Sequence, residues 1–124
     1  MIKKGGQITY EERRDALIIR VGGEIDHHSA VNVRTEMDEK ILAVRPSRVL
    51  LELSAVDFMD SSGLGLILGR YATVQKIKGE LVVLNPNDRV MKILKLAGAE
   101  RIIKIEHVDI NAEKGKKRGV KNGK

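Results

Sequence analysis

Cysteine is missing from the chain, which removes disulfides, thiolate metal sites and cysteine nucleophiles together. Nothing points to an oxidising compartment, so the cytoplasm is the expected location. Long apolar runs are missing as well. Stretches such as Leu64 to Leu68 fall far short of the roughly 20 residues a helix needs to cross a bilayer, and no membrane partner is expected. Met1 to Gln7 carries Lys3 and Lys4 with no apolar run behind them, which is not the form of an ordinary secretory signal. Self-similarity at a period of about 20–50 residues is also absent, and solenoids and arrays are set aside with it.

The signatures of catalysis are equally scarce. Gly63-Leu64-Gly65 followed by Gly69 does not have the GxGxxG spacing, and no Walker lysine follows a glycine-rich loop. Met59 stands two positions before Ser61, where a nucleophile elbow needs glycine, so no serine-hydrolase triad is legible. His27 and His28 are adjacent and would point about 100° apart on a helix, while His107 lies far along the chain. With no His-x-x-x-His pair, no metal site is expected. The sequence is that of a non-enzyme without a cofactor.

What is present suits one domain: 124 residues can bury a single core and no more. The net charge of +6 is unevenly placed. From Asn111 onward there are six basic residues and one acidic one, leaving 17 basic and 16 acidic residues in the remainder. The near-neutral part, residues 1–110, is the expected domain. Residues 111–124 are expected to be a disordered, solubilising tail, since Val120 is their one sizeable apolar group. Direct nucleic-acid binding by the core domain is not expected.

Local patterns predict the elements. Gln7 to Glu12 and Ala16 to Val21 form two apolar-rich runs joined by a short charged connection, hence an antiparallel hairpin, with Gly22-Gly23 ending the second strand. After Asp26, the residues Ala30, Val33, Met37, Ile41 and Val44 recur at helical steps until Pro46. Arg48 to Leu53 has the mostly apolar character of a central strand buried on both faces. A loop over Ser54 to Asp60 leads into a helix over Ser62 to Lys76, and Glu80 to Leu84 gives a further strand after Gly79. Asn85-Pro86 has the form of a helix start, Val90, Ile93, Leu94 and Ala97 its buried stripe, and Gly98 its end. Ile102 to Ile105 completes a β-β-α-β-α-β-α-β order. Crossover helices require parallel pairing, so the expected class is α/β: a mixed sheet with an opening antiparallel hairpin, parallel inner strands and helices packed on it.

The most informative segment runs from Phe58 to Arg70, where the central strand gives way to a helix. In parallel α/β sheets the carboxyl ends of strands face the crevice where ligands and partners dock. Asp60 and Ser61 are both competent helix caps. Gly63, Gly65 and Gly69 fall inside the helix, where each costs on the order of 1 kcal/mol relative to alanine. Either a partner backbone approaches them closely, or the helix packs tightly on its own sheet.

Gly23-Glu24-Ile25-Asp26-His27-His28-Ser29-Ala30 and Phe58-Met59-Asp60-Ser61-Ser62-Gly63-Leu64-Gly65 closely resemble the STAS family, and the resemblance extends over residues 7 to 108. Ile25 departs mildly from the leucine usual in the first segment. The Asp-Ser-Ser-Gly-Leu-Gly string resembles the phosphorylatable anti-sigma factor antagonists. That resemblance implies a switch in which the unmodified protein binds an anti-sigma factor that is also a serine kinase, releasing a sigma factor. Phosphorylation at Ser61 ends the binding and a serine phosphatase resets it. The partner surface implied is Asp26, Asp60, Ser62, Gly63, Gly65, Gly69 and Arg70, on a protein that is monomeric when free. The His27-His28 pair favours the sporulation type over the regulatory module of a stress-signalling complex.

Overall fold

The computed structural model describes residues 7–110. The first six residues of the expected domain, and the basic tail expected at 111–124, lie outside the described residues. Among those described, the order is β1 (Gln7–Arg13), β2 (Ala16–Ile25), α1 (His27–Val44), β3 (Arg48–Met59), α2 (Ser61–Lys76), β4 (Glu80–Leu84) and α3 (Asp88–Leu96), then a 3-10 turn at Ala99–Arg101 and β5 (Lys104–Glu106). One sheet runs β1-β2-β3-β4-β5, antiparallel between β1 and β2 and parallel thereafter. The mixed sheet expected from the sequence is therefore the one found, with β3 at its centre.

Strand alternation sorts the core into two layers. Leu17, Ile19 and Val21 of β2, Val49, Leu51 and Leu53 of β3, and Leu81 and Val83 of β4 join one cluster with residues of all three helices: Val33 and Met37 of α1, Ile67 and Val74 of α2, Val90 and Leu94 of α3. The opposite face holds a smaller cluster of Ala16, Ile18, Leu50, Val82, Leu84 and Ile110. All three helices thus cover one face. A cavity of about 640 Å³ on the other face is lined by Glu52, Asn85 and His107 among others, away from Ser61.

Four expectations are corrected. Gly22-Gly23 does not end β2; the strand continues to Ile25, and the expected loop from Ser54 is instead the continuation of β3 to Met59. The two extensions pair with one another, Gly22 with Ala55, Gly23 with Val56, Glu24 with Phe58 and Ile25 with Met59. Two register shifts each place an extra residue on β3. The pairing leaves little room for a side chain at position 22, where a Cβ would lie 3.1 Å from that of Ala55. The helix start expected at Asn85-Pro86 moves two residues on, because Asn87 is the cap of α3 and its side chain accepts from the Val90 amide at 2.8 Å. The last strand begins at Lys104 rather than Ile102, since the 3-10 turn takes up the intervening chain.

Asn85 has a different task. Its φ of 57° turns the chain. Its side chain donates to Glu52 Oε2 at 2.7 Å and to the Val108 carbonyl at 2.6 Å, and accepts from the Val108 amide at 2.9 Å. Glu52 is buried within β3, and Ser54 supplies its other oxygen with bonds from the hydroxyl at 2.8 Å and the amide at 3.1 Å. A buried carboxylate stripped of one charge-assisted donor is expensive. Asn85→Ala is expected to lower the unfolding free energy by about 2 kcal/mol in a urea titration, and an unchanged midpoint would show that Glu52 does not depend on it.

Candidate functional site

The extended β2/β3 pairing delivers two helix starts to the same edge of the sheet. Ile25 and Met59 are register partners, so the residues that follow them, Asp26 and Asp60, leave adjacent strands side by side. Asp26 caps α1: its Oδ1 accepts from the Ser29 amide at 3.0 Å, and Ser29 Oγ accepts from the Asp26 amide at 3.1 Å. Asp60 caps α2, with Oδ1 accepting from the Ser62 amide at 2.8 Å, and its own amide donates to the Ile25 carbonyl at 3.3 Å. The choice between Asp60 and Ser61 as cap is thereby resolved in favour of Asp60.

Ser61 is consequently spared. It is the first residue of α2, exposed, and its hydroxyl makes no hydrogen bond among the described residues. A group added to this oxygen displaces no intramolecular contact. It would sit at a helix amino terminus, where the macrodipole and outward-facing amides favour negative charge.

The Asp26 carboxyl is held below the ordinary aspartate value of 3.8. The chief cause is the hydrogen bond from the Ser29 amide, assisted by the Ser29 hydroxyl and the nearby His28 charge and opposed by partial desolvation. A depressed carboxylate contributes stability above its unfolded pKa, and that contribution is lost as pH falls through the folded value. The start of α1 therefore loosens only in acid.

The three helical glycines divide into two kinds. A Cβ at Gly63 would lie 2.6 Å from Met59 Cβ and 2.9 Å from Met59 Sδ, so that glycine is demanded by packing of α2 on the end of β3. At Gly65 and Gly69 an added Cβ would meet nothing within 4 Å. Internal packing explains the first and leaves the other two without an intramolecular reason. Both line a groove of about 290 Å³ between α1 and α2, with Arg70 beside them and His27, Val31 and Arg34 across from them on α1. Ser62 lies at its upper end.

Arg70 holds the two helices together beneath this groove. Its Nε lies 2.9 Å from Asp38 Oδ1 and its Nη2 donates to Asp38 Oδ2 at 3.5 Å, while Thr73 Oγ1 donates to Oδ1 at 2.7 Å. Burial lowers the Arg70 pKa from its ordinary value; the Asp38 carboxylate counters this, and the Arg34 charge adds to it. Of the residues expected at the site, Asp26, Asp60, Ser61 and Ser62 cluster at the sheet edge, Gly65, Gly69 and Arg70 follow down the groove, and Gly63 faces inward. Sequence reasoning missed the α1 wall. His27, Val31 and Arg34 recur at helical steps beside the buried stripe, and that second stripe was the available signal.

No helix among the described residues is long and apolar enough to cross a membrane. The family model of the STAS domain matches residues 7–109. An anti-sigma F factor antagonist of Paenibacillus polymyxa is 42% identical over 106 residues, which is 86% of this chain and 91% of the relative. Among solved structures, the anti-sigma factor antagonist SpoIIAA in its unphosphorylated form has a TM-score of 0.76 at 27% identity, covering 94% of this chain and 100% of that one. The Bacillus cell fate determinant SpoIIAA in its phosphorylated form has a TM-score of 0.70 at 26% identity, covering 90% and 100%.

Two measurements check this geometry. In thermal unfolding, Gly63→Ala is expected to destabilise by about 1–3 kcal/mol, whereas Gly65→Ala and Gly69→Ala should each stabilise by about 0.5–1 kcal/mol; the same sign at all three positions would refute the division. An NMR titration of the Asp26 side chain should give a midpoint below 3.8, and a value at or above it would remove the cap from the electrostatic account.

Proposed function

The chain belongs to the STAS-domain family, and from that premise we propose that it is an anti-sigma factor antagonist of the sporulation type, switched off by phosphorylation of Ser61. The unmodified form binds an anti-sigma factor that is also a serine kinase and thereby frees a sigma factor. A serine phosphatase restores the unmodified form. The protein works in the cytoplasm as a binding partner and as a substrate, without catalytic residues of its own, and is monomeric until it meets its partner.

The observation that carries this reading is the unbonded, exposed Ser61 hydroxyl at the start of α2, beside a groove floored by Gly65 and Gly69. The relative from Paenibacillus polymyxa, named for the sigma F system, favours the sporulation type. The partner surface is Asp26, Asp60, Ser62, Gly65, Gly69 and Arg70, with Gly63 setting the depth of α2 from beneath.

The energetics of the switch follow from position. A phosphate adds a charge of about −1.5 to −2 at neutral pH. The amino terminus of α2 accommodates that charge, so the fold survives modification. On the partner side the same charge adds to those of Asp60 and Asp26, and it occupies space that a surface fitted to a bare hydroxyl has filled. Modification thus acts on association and leaves the core untouched.

Incubation with ATP and the anti-sigma kinase, followed by mass spectrometry, is expected to place one phosphate on Ser61, with circular dichroism unchanged and partner binding lost. Phosphate elsewhere, or none, would overturn the switch. Ser61→Asp should weaken binding at least tenfold with little change in unfolding midpoint, and undiminished affinity would count equally against the proposal.

A further inference from the structure

The groove between α1 and α2 carries a charge arrangement that the fold itself leaves unbalanced. Arg70 is 6% exposed, so its guanidinium has almost wholly left water. Asp38 ion-pairs with Nε and accepts a hydrogen bond from Nη2, yet neither Nε nor Nη1 has a hydrogen-bond acceptor in good geometry among the described residues. A buried donor left unsatisfied is costly, and more so when it is charged. Arg34 lines the same groove from α1, is exposed, and makes no ion pair or hydrogen bond among the described residues. Its charge opposes that of Arg70 across the groove. Asp38, the one acid paired with Arg70 among the described residues, is already shared between Arg70 and Thr73.

Two like charges therefore flank a trough with a bare glycine wall. Internal packing asks for neither the second arginine nor the missing side chains at positions 65 and 69. A phosphate on Ser61 is not the missing anion, because nine helical positions separate it from Arg70, about 13 Å along the axis. Arg34 is the member of the pair that an anion from outside can reach, since Arg70 is buried beneath the groove. Guanidinium groups match carboxylates in planar, two-pronged geometry, and an open helical glycine pair admits a polypeptide backbone at close range.

We infer that the α1–α2 groove receives an acidic segment of the anti-sigma factor, a carboxylate of that segment pairing with the exposed Arg34 above the buried Arg70 while its backbone lies over Gly65 and Gly69. This rests on the function proposed above and deepens it by stating the chemistry of the partner's contact. It also gives phosphorylation a second effect: the new negative charge stands at the upper end of a groove through which an acidic segment must settle.

Arg34 is exposed and remote from the core, so its variants test the inference without a folding penalty. The probe is the purified anti-sigma F factor of Paenibacillus polymyxa, whose antagonist is 42% identical to this chain, titrated calorimetrically at low salt and at about 0.5 M salt. Arg34→Glu is expected to weaken binding at least tenfold at low salt and Arg34→Ala less, Arg34→Lys should restore most of the affinity, and the differences should shrink at high salt. Equal affinity of Arg34→Glu and the unaltered chain would overturn the inference while leaving the proposed function standing. No binding by the unaltered chain would overturn both. Saturable binding of inorganic phosphate or ATP to the chain alone, lost in Arg34→Glu, would assign the groove to a small anion and overturn the acidic segment.

Discussion

Everything at the switch end of the molecule depends on the parallel pairing of β2 with β3 beyond their apolar centres. Had β2 stopped at Gly22, α1 and α2 would begin from independent loops. Because the pairing holds to Ile25 and Met59, the caps Asp26 and Asp60 emerge from neighbouring strands, whose spacing of about 4.8 Å fixes their separation. The sheet thus sets how two helix starts face a partner, and the hydrogen bond from the Asp60 amide to the Ile25 carbonyl ties one start to the strand that feeds the other.

A division of labour among short polar side chains follows. Asp60 takes the capping role that Ser61 could have filled, which leaves Ser61 with a free hydroxyl at a position electrostatically suited to phosphate. Gly63 lets α2 sit down on Met59, while Gly65 and Gly69 leave the outer wall low. One helix therefore presents an unbonded hydroxyl and a shallow surface within its first three turns, anchored below by Arg70, Asp38 and Thr73.

Much of the fold was legible because it rests on periodicity. Val33, Met37 and Ile41 announced α1, and Glu80 to Leu84 announced β4 with its observed bounds. The far half of β3 escaped because the two register shifts put its buried residues Leu53, Val56 and Met59 at steps of three, which neither strand nor helix patterning recognises. Asn85 and Asn87 are chemically alike, and only the buried Glu52, distant in sequence, decides which of them caps. At the site, the motif located Ser61 and its neighbours, yet it was silent on Arg34. A surface arginine becomes noteworthy only once another helix brings a second one across a groove.

The open space above Gly65 and Gly69 has an evolutionary consequence. At these two positions every substitution adds atoms to the groove, and the first added atom improves the helix. Under the docking role proposed for the groove, heat resistance and partner recognition are opposed at the same two sites. On that proposal, a population of this protein selected for survival at high temperature alone would drift toward alanine there, accumulating sturdier molecules that no longer listen to their partner.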